Sequence, residues 1–224
     1  MNEYNETIHC NEINTLNLNI KVGNIVVHKI EGNNISIKGS LGKICKGFTI
    51  NKVNNEMKIQ QVVSLFPIKI GSPNSVNIII GIPPCLKNIK IKHELGHLHI
   101  KYIEIQEIEI GLTAAELLID NIFCNYLNVK VGTKTANIRL HKKCGDIQIR
   151  SRSGKFNLEM QEVGGNLKCS AGSRGGNIKI PKDSRVMVRK KGVRKDIINA
   201  VSIKNDLYKF DLIANLGVIN LEYS

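Results

Sequence analysis

The sequence predicts an all-β protein, a single-domain β-solenoid with about twenty residues per coil and glycine-led turns, and three observations carry that prediction. The first is a short phrase that recurs over residues 129–180, as Thr135-Ala-Asn-Ile-Arg-Leu140, Gly145-Asp-Ile-Gln-Ile149, Gly154-Lys-Phe-Asn-Leu158, Gly165-Asn-Leu-Lys-Cys169 and Gly176-Asn-Ile-Lys-Ile180. Each copy sets a small residue before alternating polar and apolar positions, the pattern of a strand with one buried face. The second is spacing. Leu98, Ile108, Leu117, Leu127, Ile138, Ile147, Phe156, Leu167 and Ile178 advance by 9 to 11 residues, so two strand units make one coil. The third is composition: 42% apolar residues, 4% aromatics and no Trp call for a core of stacked Ile, Leu and Val. An antiparallel sandwich also shows short strands every 8 to 12 residues. Near-identical glycine-led turns suit stacked, equivalent corners better than unlike hairpins.

Taken in order, residues 1–60 carry the phrase with looser spacing, as Gly23-Asn-Ile-Val-Val27 and Asn34-Ile-Ser-Ile37, and are expected to form irregular N-terminal coils or a cap. Prolines 67, 73, 83 and 84 break residues 65–84 into extended pieces, with Ser75–Ile80 a strand. The regular repeats span 89–180. Within them Leu112–Ile119 has helical propensity, but its place in the ten-residue series argues for strand. Residues 181–215 read as a basic loop and irregular segment with Val186–Val188 a short strand, and 216–222 as the closing strand. In the repeats, Ile147, Ile149, Phe156, Leu158, Leu167, Ile178 and Ile180 are expected to face inward, and Gln148, Asn157, Lys168 and Lys179 outward. Each strand should pair in parallel with the one a coil away.

The formal charge is +13, and residues 130–196 hold all of the excess, 18 Lys and Arg against 5 Asp and Glu; the remainder balances at 14 against 14. The six cysteines lie 20 to 40 residues apart without a C-x-x-C pair, which predicts free, mostly buried thiols in a reducing cytosol and no pair placed for a disulfide. The first ten residues lack the basic and apolar regions of a signal peptide, and no run approaches a membrane span. The expected location is cytoplasmic, with peripheral association to the envelope.

The paired G-x-I-x-I series over residues 15–222 resembles the bacterial putative-adhesin family of β-strand-repeat proteins. The resemblance implies a right-handed or flattened β-solenoid, no established enzyme activity and frequent association with the cell envelope. It supplies no functional residues.

One motif carries the pattern of a metallopeptidase. His93-Glu-Leu-Gly-His97 is a literal H-E-x-x-H, which on a helix would hold zinc through both histidines with Glu94 acting on the bound water. Alternating runs bracket it, and residues four apart along a strand lie about 13 Å from each other. The motif therefore reads as another copy of the repeat, with His97 and His99 solvated on one face beside Lys101. The glycines of Gly172–Gly176 and Gly164–Gly165 lack the Lys-Ser/Thr pair of a phosphate loop and read as corners. No catalytic residue, metal site or cofactor is expected. The candidate binding residues are Lys130, Arg150 and Lys168 on one sheet, with Arg189, Lys190, Lys191, Arg194 and Lys195 beyond. Such a segment attracts the phosphates of nucleic acid, anionic lipid or a teichoic-type polymer, so the alternative reading is an anionic-polymer or nucleic-acid binder through residues 130–196. With Phe156 its only aromatic residue, it has no stacking platform for nucleic acid. The functional expectation is a non-enzymatic binding or scaffold protein whose partners are an anionic polymer or membrane-associated proteins.

Overall fold

The computed structural model describes residues 3–64, 76–192, 198–200 and 207–223. In chain order the strands are β1 (Glu3–His9), β2 (Thr15–Lys29), β3 (Asn34–Ser40), β4 (Cys45–Val53), β5 (Glu56–Val63) and β6 (Asn77–Ile82). The regular coils follow as β7 (Asn88–Lys101), β8 (Glu104–Asp120), β9 (Phe123–Val131), β10 (Thr135–Leu140), β11 (Asp146–Ser151), β12 (Lys155–Met160), β13 (Leu167–Ala171) and β14 (Gly176–Ile180). The last four are β15 (Val186–Gly192), β16 (Ile198–Ala200), β17 (Tyr208–Ala214) and β18 (Ile219–Tyr223).

From β7 to β14 the chain is a parallel β-solenoid. Asn88 pairs with Glu107 and Glu104 with Phe123, nineteen residues on; Ile147 pairs with Leu167 and Phe156 with Gly176, twenty residues on. Each coil contributes one strand to a front sheet and one to a back sheet. In β2, β7 and β8 a single long strand bends round the corner between them. At that bend the inward parity slips: buried positions run Ile108, Ile110, Leu112 and then Ala115, Leu117, Ile119. Leu112–Ile119 is strand throughout, so the stacking partners on both sides override local helical propensity.

The inward residues form one hydrophobic cluster, and every expected inward residue of the repeats lies in it. Of the expected outward residues, Lys168 and Lys179 are exposed, and Gln148 and Asn157 half-buried. Size is matched along a ladder: Phe156 is flanked in register by Ala136 and Gly176, whose added Cβ would meet the Phe156 ring at 2.2 Å. The corner glycines have a related cause. A Cβ on Gly145, Gly154 or Gly165 would lie 2.1 to 2.4 Å from the backbone of the preceding coil.

At both ends, order in space departs from order in the chain. β2 stacks directly on β7, 73 residues away, while β5 and β6 cover its other side. Antiparallel strands then finish this end, β4 on β5, and β3 on β6 with β1 outside it. At the far end β17 lies between β13 and β15, and β18 between β14 and β16. The pairings across β13–β17 and β14–β18 span 43 residues, so the twenty-residue rule holds in the regular block but not for the outer coils. Where β2 turns its corner without a matching coil above, the buried amide of Gln61 stands in for one. Its Oε1 accepts from the Lys21 and Val22 N–H groups at 2.8 and 2.9 Å, and its Nε2 donates to Val22 O at 2.9 Å.

Candidate functional site: the basic column of the front sheet

Stacking coils about 4.8 Å apart converts positions twenty residues apart into outward columns of side chains. The two sheets use those columns differently. On the back sheet one column reads Lys101, Asp120, Arg139, Glu159, Lys179, Glu222, alternating in sign at every rung. Beside it an amide ladder runs through Asn137, Asn157, Asn177 and Asn220, with Nδ2 to Oδ1 distances of 2.8 to 3.0 Å. That surface neutralises itself.

On the front sheet the column nearest the corner reads Asn19, Lys92, Gly111, Lys130, Arg150, Ser170, Ile213, Lys191, four cations with no carboxylate. The neighbouring column adds Lys58, Lys90, Lys168 and Arg189, with Glu109 and Asp211 between them. Lys90 pairs with Glu109 at 3.8 Å; among the described residues no carboxylate reaches Lys58, Lys92 or Lys130. A groove of about 390 Å³ opens between the two columns, lined by the cations Lys58, Lys90, Lys92 and Lys130 and by the carboxylates Glu56 and Glu109.

Of the residues marked by sequence, Lys130 and Arg150 are adjacent in the basic column and Lys168 lies one column away. Arg189 and Lys191 share those columns on the edge strand β15. Lys190 occupies an inward register position opposite Leu212, yet is exposed at the open end. Arg194 and Lys195 lie outside the described residues. The basic segment 130–196 is not one surface: Arg139 and Lys179 belong to the alternating back column. Conversely, Lys58, Lys90 and Lys92 join the front surface from parts of the chain whose charge balances overall. Adding one coil length to Lys92 reaches Gly111, and a second reaches Lys130, a signal available in the sequence.

The H-E-x-x-H motif lies within strand β7. His93 is buried in the inward column between Ile20 and Leu112, its Nε2 3.1 Å from Gly23 O, and burial holds its imidazole below the usual range. His97 is exposed and its Nδ1 lies 3.3 Å from Glu116, while Glu94 pairs with Lys21. The two histidines point to opposite sides of the strand, so this motif cannot close on one ion. His99, expected to be solvated like its neighbour, is half-buried, and desolvation followed by Lys101 lowers its pKa.

The six cysteines are free, and five are buried. Cys124 and Cys144 are one coil apart, and stacking brings their free sulfurs to 3.9 Å. Donation of its thiol hydrogen to Cys144, followed by burial, pushes Cys124 up.

A family model described as Toastrack DUF4097 matches residues 48–197. The chain belongs to the Toastrack DUF4097 family. Solved structures similar to this Toastrack chain include a putative adhesin from Bacteroides fragilis NCTC 9343, 16% identical, covering 100% of this chain and 97% of that one with a TM-score of 0.53. Another is a putative cell adhesion protein from Clostridium sporogenes ATCC 15579, 11% identical, with 100% and 99% coverage and a TM-score of 0.48. A putative adhesin from Parabacteroides merdae ATCC 43184 is 10% identical, with 98% and 95% coverage and a TM-score of 0.38. At such identities the likeness to the Bacteroides protein is one of fold. No curated protein matches the chain.

Proposed function

We propose that this Toastrack chain is a non-enzymatic binding scaffold whose front sheet holds an anionic polymer. The observation that carries the reading is the unneutralised column Lys92–Lys130–Arg150–Lys191, set on the same solenoid as a back column that alternates in sign. Like charges on neighbouring strands repel and add nothing to the fold. A rigid column that sets Lys130 beside Arg150, with Lys92 and Lys191 farther along it and no carboxylate in it, suits a ligand that carries repeated negative charge. The six free thiols suit a reducing compartment, and we place the protein in the cytoplasm with peripheral contact to the envelope.

The test is salt-dependent binding to inorganic polyphosphate by the full chain. Charge reversal of Lys130 and Arg150 should weaken binding at least tenfold and flatten its dependence on salt. The same charge change at Lys142 and Lys182, on exposed turns away from both sheets, should leave it within twofold. Equal losses in the two variants would reduce the column to general surface charge.

A further inference from the structure

One inward column of the regular coils reads Ile105, Cys124, Cys144, Val163, so two cysteines twenty residues apart occupy consecutive rungs. Gly145 N donates to Cys124 O at 2.9 Å and Asp146 pairs in register with Tyr126, which holds the two backbones at the stacking distance of about 4.8 Å. That separation lies within the range of about 4.4 to 6.8 Å between the Cα atoms of a disulfide. The sulfurs are 3.9 Å apart and both thiols are free, Cys124 donating toward Cys144 and Cys144 toward Ile122 O at 3.6 Å. Cys169 is as deeply buried, but its neighbours in register are Ile149 and Leu212, so burial alone does not set cysteine on cysteine.

The two thiols differ in access. Cys124 lies within β9, whereas Cys144 lies in the turn between β10 and β11, directly after the exposed His141, Lys142 and Lys143. A cleft of about 310 Å³ opens beside that turn, lined by Lys143 and by Val163, the partner of Cys144 in the next coil. They differ in acidity as well. Accepting the Cys124 hydrogen holds the Cys144 thiol below its ordinary range against the opposing effect of burial, while Cys124 is pushed up.

We infer that Cys124 and Cys144 form a reversible oxidation site for hydrogen peroxide, Cys144 reacting first and Cys124 resolving it into a disulfide that joins two coils. The Cys144 thiolate attacks one peroxide oxygen, the O–O bond breaks, and the departing hydroxide takes up the thiol proton to leave as water. Cys124 then attacks the sulfenic sulfur; the S–S bond forms, and the expelled hydroxide leaves with the Cys124 proton as a second water. Two thiols are oxidised and one peroxide is reduced. In a reducing compartment the dithiol is the resting state, and a thiol reductant restores it. The bridge ties β9, which carries Lys130, to the lead-in of β11, which carries Arg150. Because both sulfurs face the core, the inference does not rest on the front sheet being a binding face.

The experiment exposes the folded full chain to hydrogen peroxide, unfolds it in an alkylating reagent and maps the cysteines by peptide mass. Alkylation of Cys124 and Cys144 should be lost together, with a disulfide peptide joining them, and dithiothreitol should restore both. The oxidised protein should melt about 5 to 10 °C above the reduced one, because the bridge closes a loop of twenty residues in the unfolded chain. Cys124→Ala should accumulate a sulfenic acid at Cys144 that dimedone traps, and Cys144→Ala should give at least tenfold less at Cys124. Cys169→Ala should leave the yield of the bridge within twofold. Cys124 and Cys144 still fully alkylated after peroxide, a bridge between another pair such as Cys10 and Cys85 in place of theirs, or a bridge that forms only in urea overturns the site. Equal dimedone labelling in the two single variants overturns the order of reaction and the inference with it.

Discussion

Replacing His93 by leucine tests whether a neutral imidazole is built into the corner column. The wild-type ring is 1% exposed, lies between Ile20 and Leu112, and has its Nε2 on Gly23 O. Burial lowers its folded pKa, so the unfolded chain binds a proton near pH 6.5 that the folded chain does not take. By linkage, stability is then full above about pH 6.5 and falls as the pH drops toward the lowered folded value. The slope for one such group is about 1.4 kcal/mol per pH unit, or up to about 2 kcal/mol between pH 6.5 and 5.0 for a ring that stays neutral throughout. His93→Leu loses one hydrogen bond to the Gly23 carbonyl, about 1 kcal/mol, partly offset by apolar burial among apolar neighbours. At pH 7.5 the variant should lie within about 1.5 kcal/mol of wild type, and it should gain on it progressively below pH 6.5. Urea unfolding at pH 7.5, 6.5, 5.5 and 5.0 measures the difference, and His99 cancels because both proteins contain it. A difference that stays constant down to pH 5.0 would mean that His93 titrates alike in both states, and the account of the corner would be wrong.

Three further outcomes follow from the packing. Gly176→Ala places a methyl 2.2 Å from the Phe156 ring and should destabilise by about 1 to 3 kcal/mol, with Phe156→Leu restoring part of the loss in a double-mutant cycle. Gly96→Ala should cost at least about 1 to 3 kcal/mol in chemical denaturation, because its φ is 122° and the new Cβ would lie 2.1 Å from Gly23 O. Gln61→Leu strands two N–H groups and a carbonyl at the β2 corner; a loss of about 2 to 4 kcal/mol is expected, with amide exchange at Lys21 and Val22 accelerating ahead of the regular coils.

The regular coils were legible because each obeys the same local rule. Leu112–Ile119 shows the rule at its strongest, since the ten-residue register outweighed helical propensity and proved right. The coil ends were not legible. Nothing in Phe210 or Ile219 announces that its neighbour lies 43 residues back, because that choice depends on competition between whole coils for the same edge. The H-E-x-x-H stretch was read as another copy of the repeat, but His93 keeps the inward parity of Ile89 and Ile91, and the slip at the bend comes only after it, so the register counted back from Leu98 and Ile100 sets His93 on the wrong face. The candidate surface was half legible. Counting charge along the chain found Lys130, Arg150 and Lys168 but grouped them with Arg139 and Lys179 of the other sheet. Counting across coils recovers Lys92 and sets Gly111 beside it, and the period needed for that step was already in hand.

The placement of β17 and β18 beneath β15 and β16 limits how this protein can change length. In a solenoid wound strictly in order, the last coil can be trimmed or a new one appended without disturbing those before it. Here, deleting residues 208–223 would remove an inner layer and leave β15 and β16 with nothing to rest on, since their described pairings are to β17 and β18. At the other end, losing β2 would part β7 from β5 and β6 in the same way. Growth or shrinkage by whole repeats is therefore confined to the interior between β7 and β14, where one coil resembles the next. Duplicating the coil that carries Lys130 or Arg150 would add one cation to the front-sheet column and leave both ends as they are.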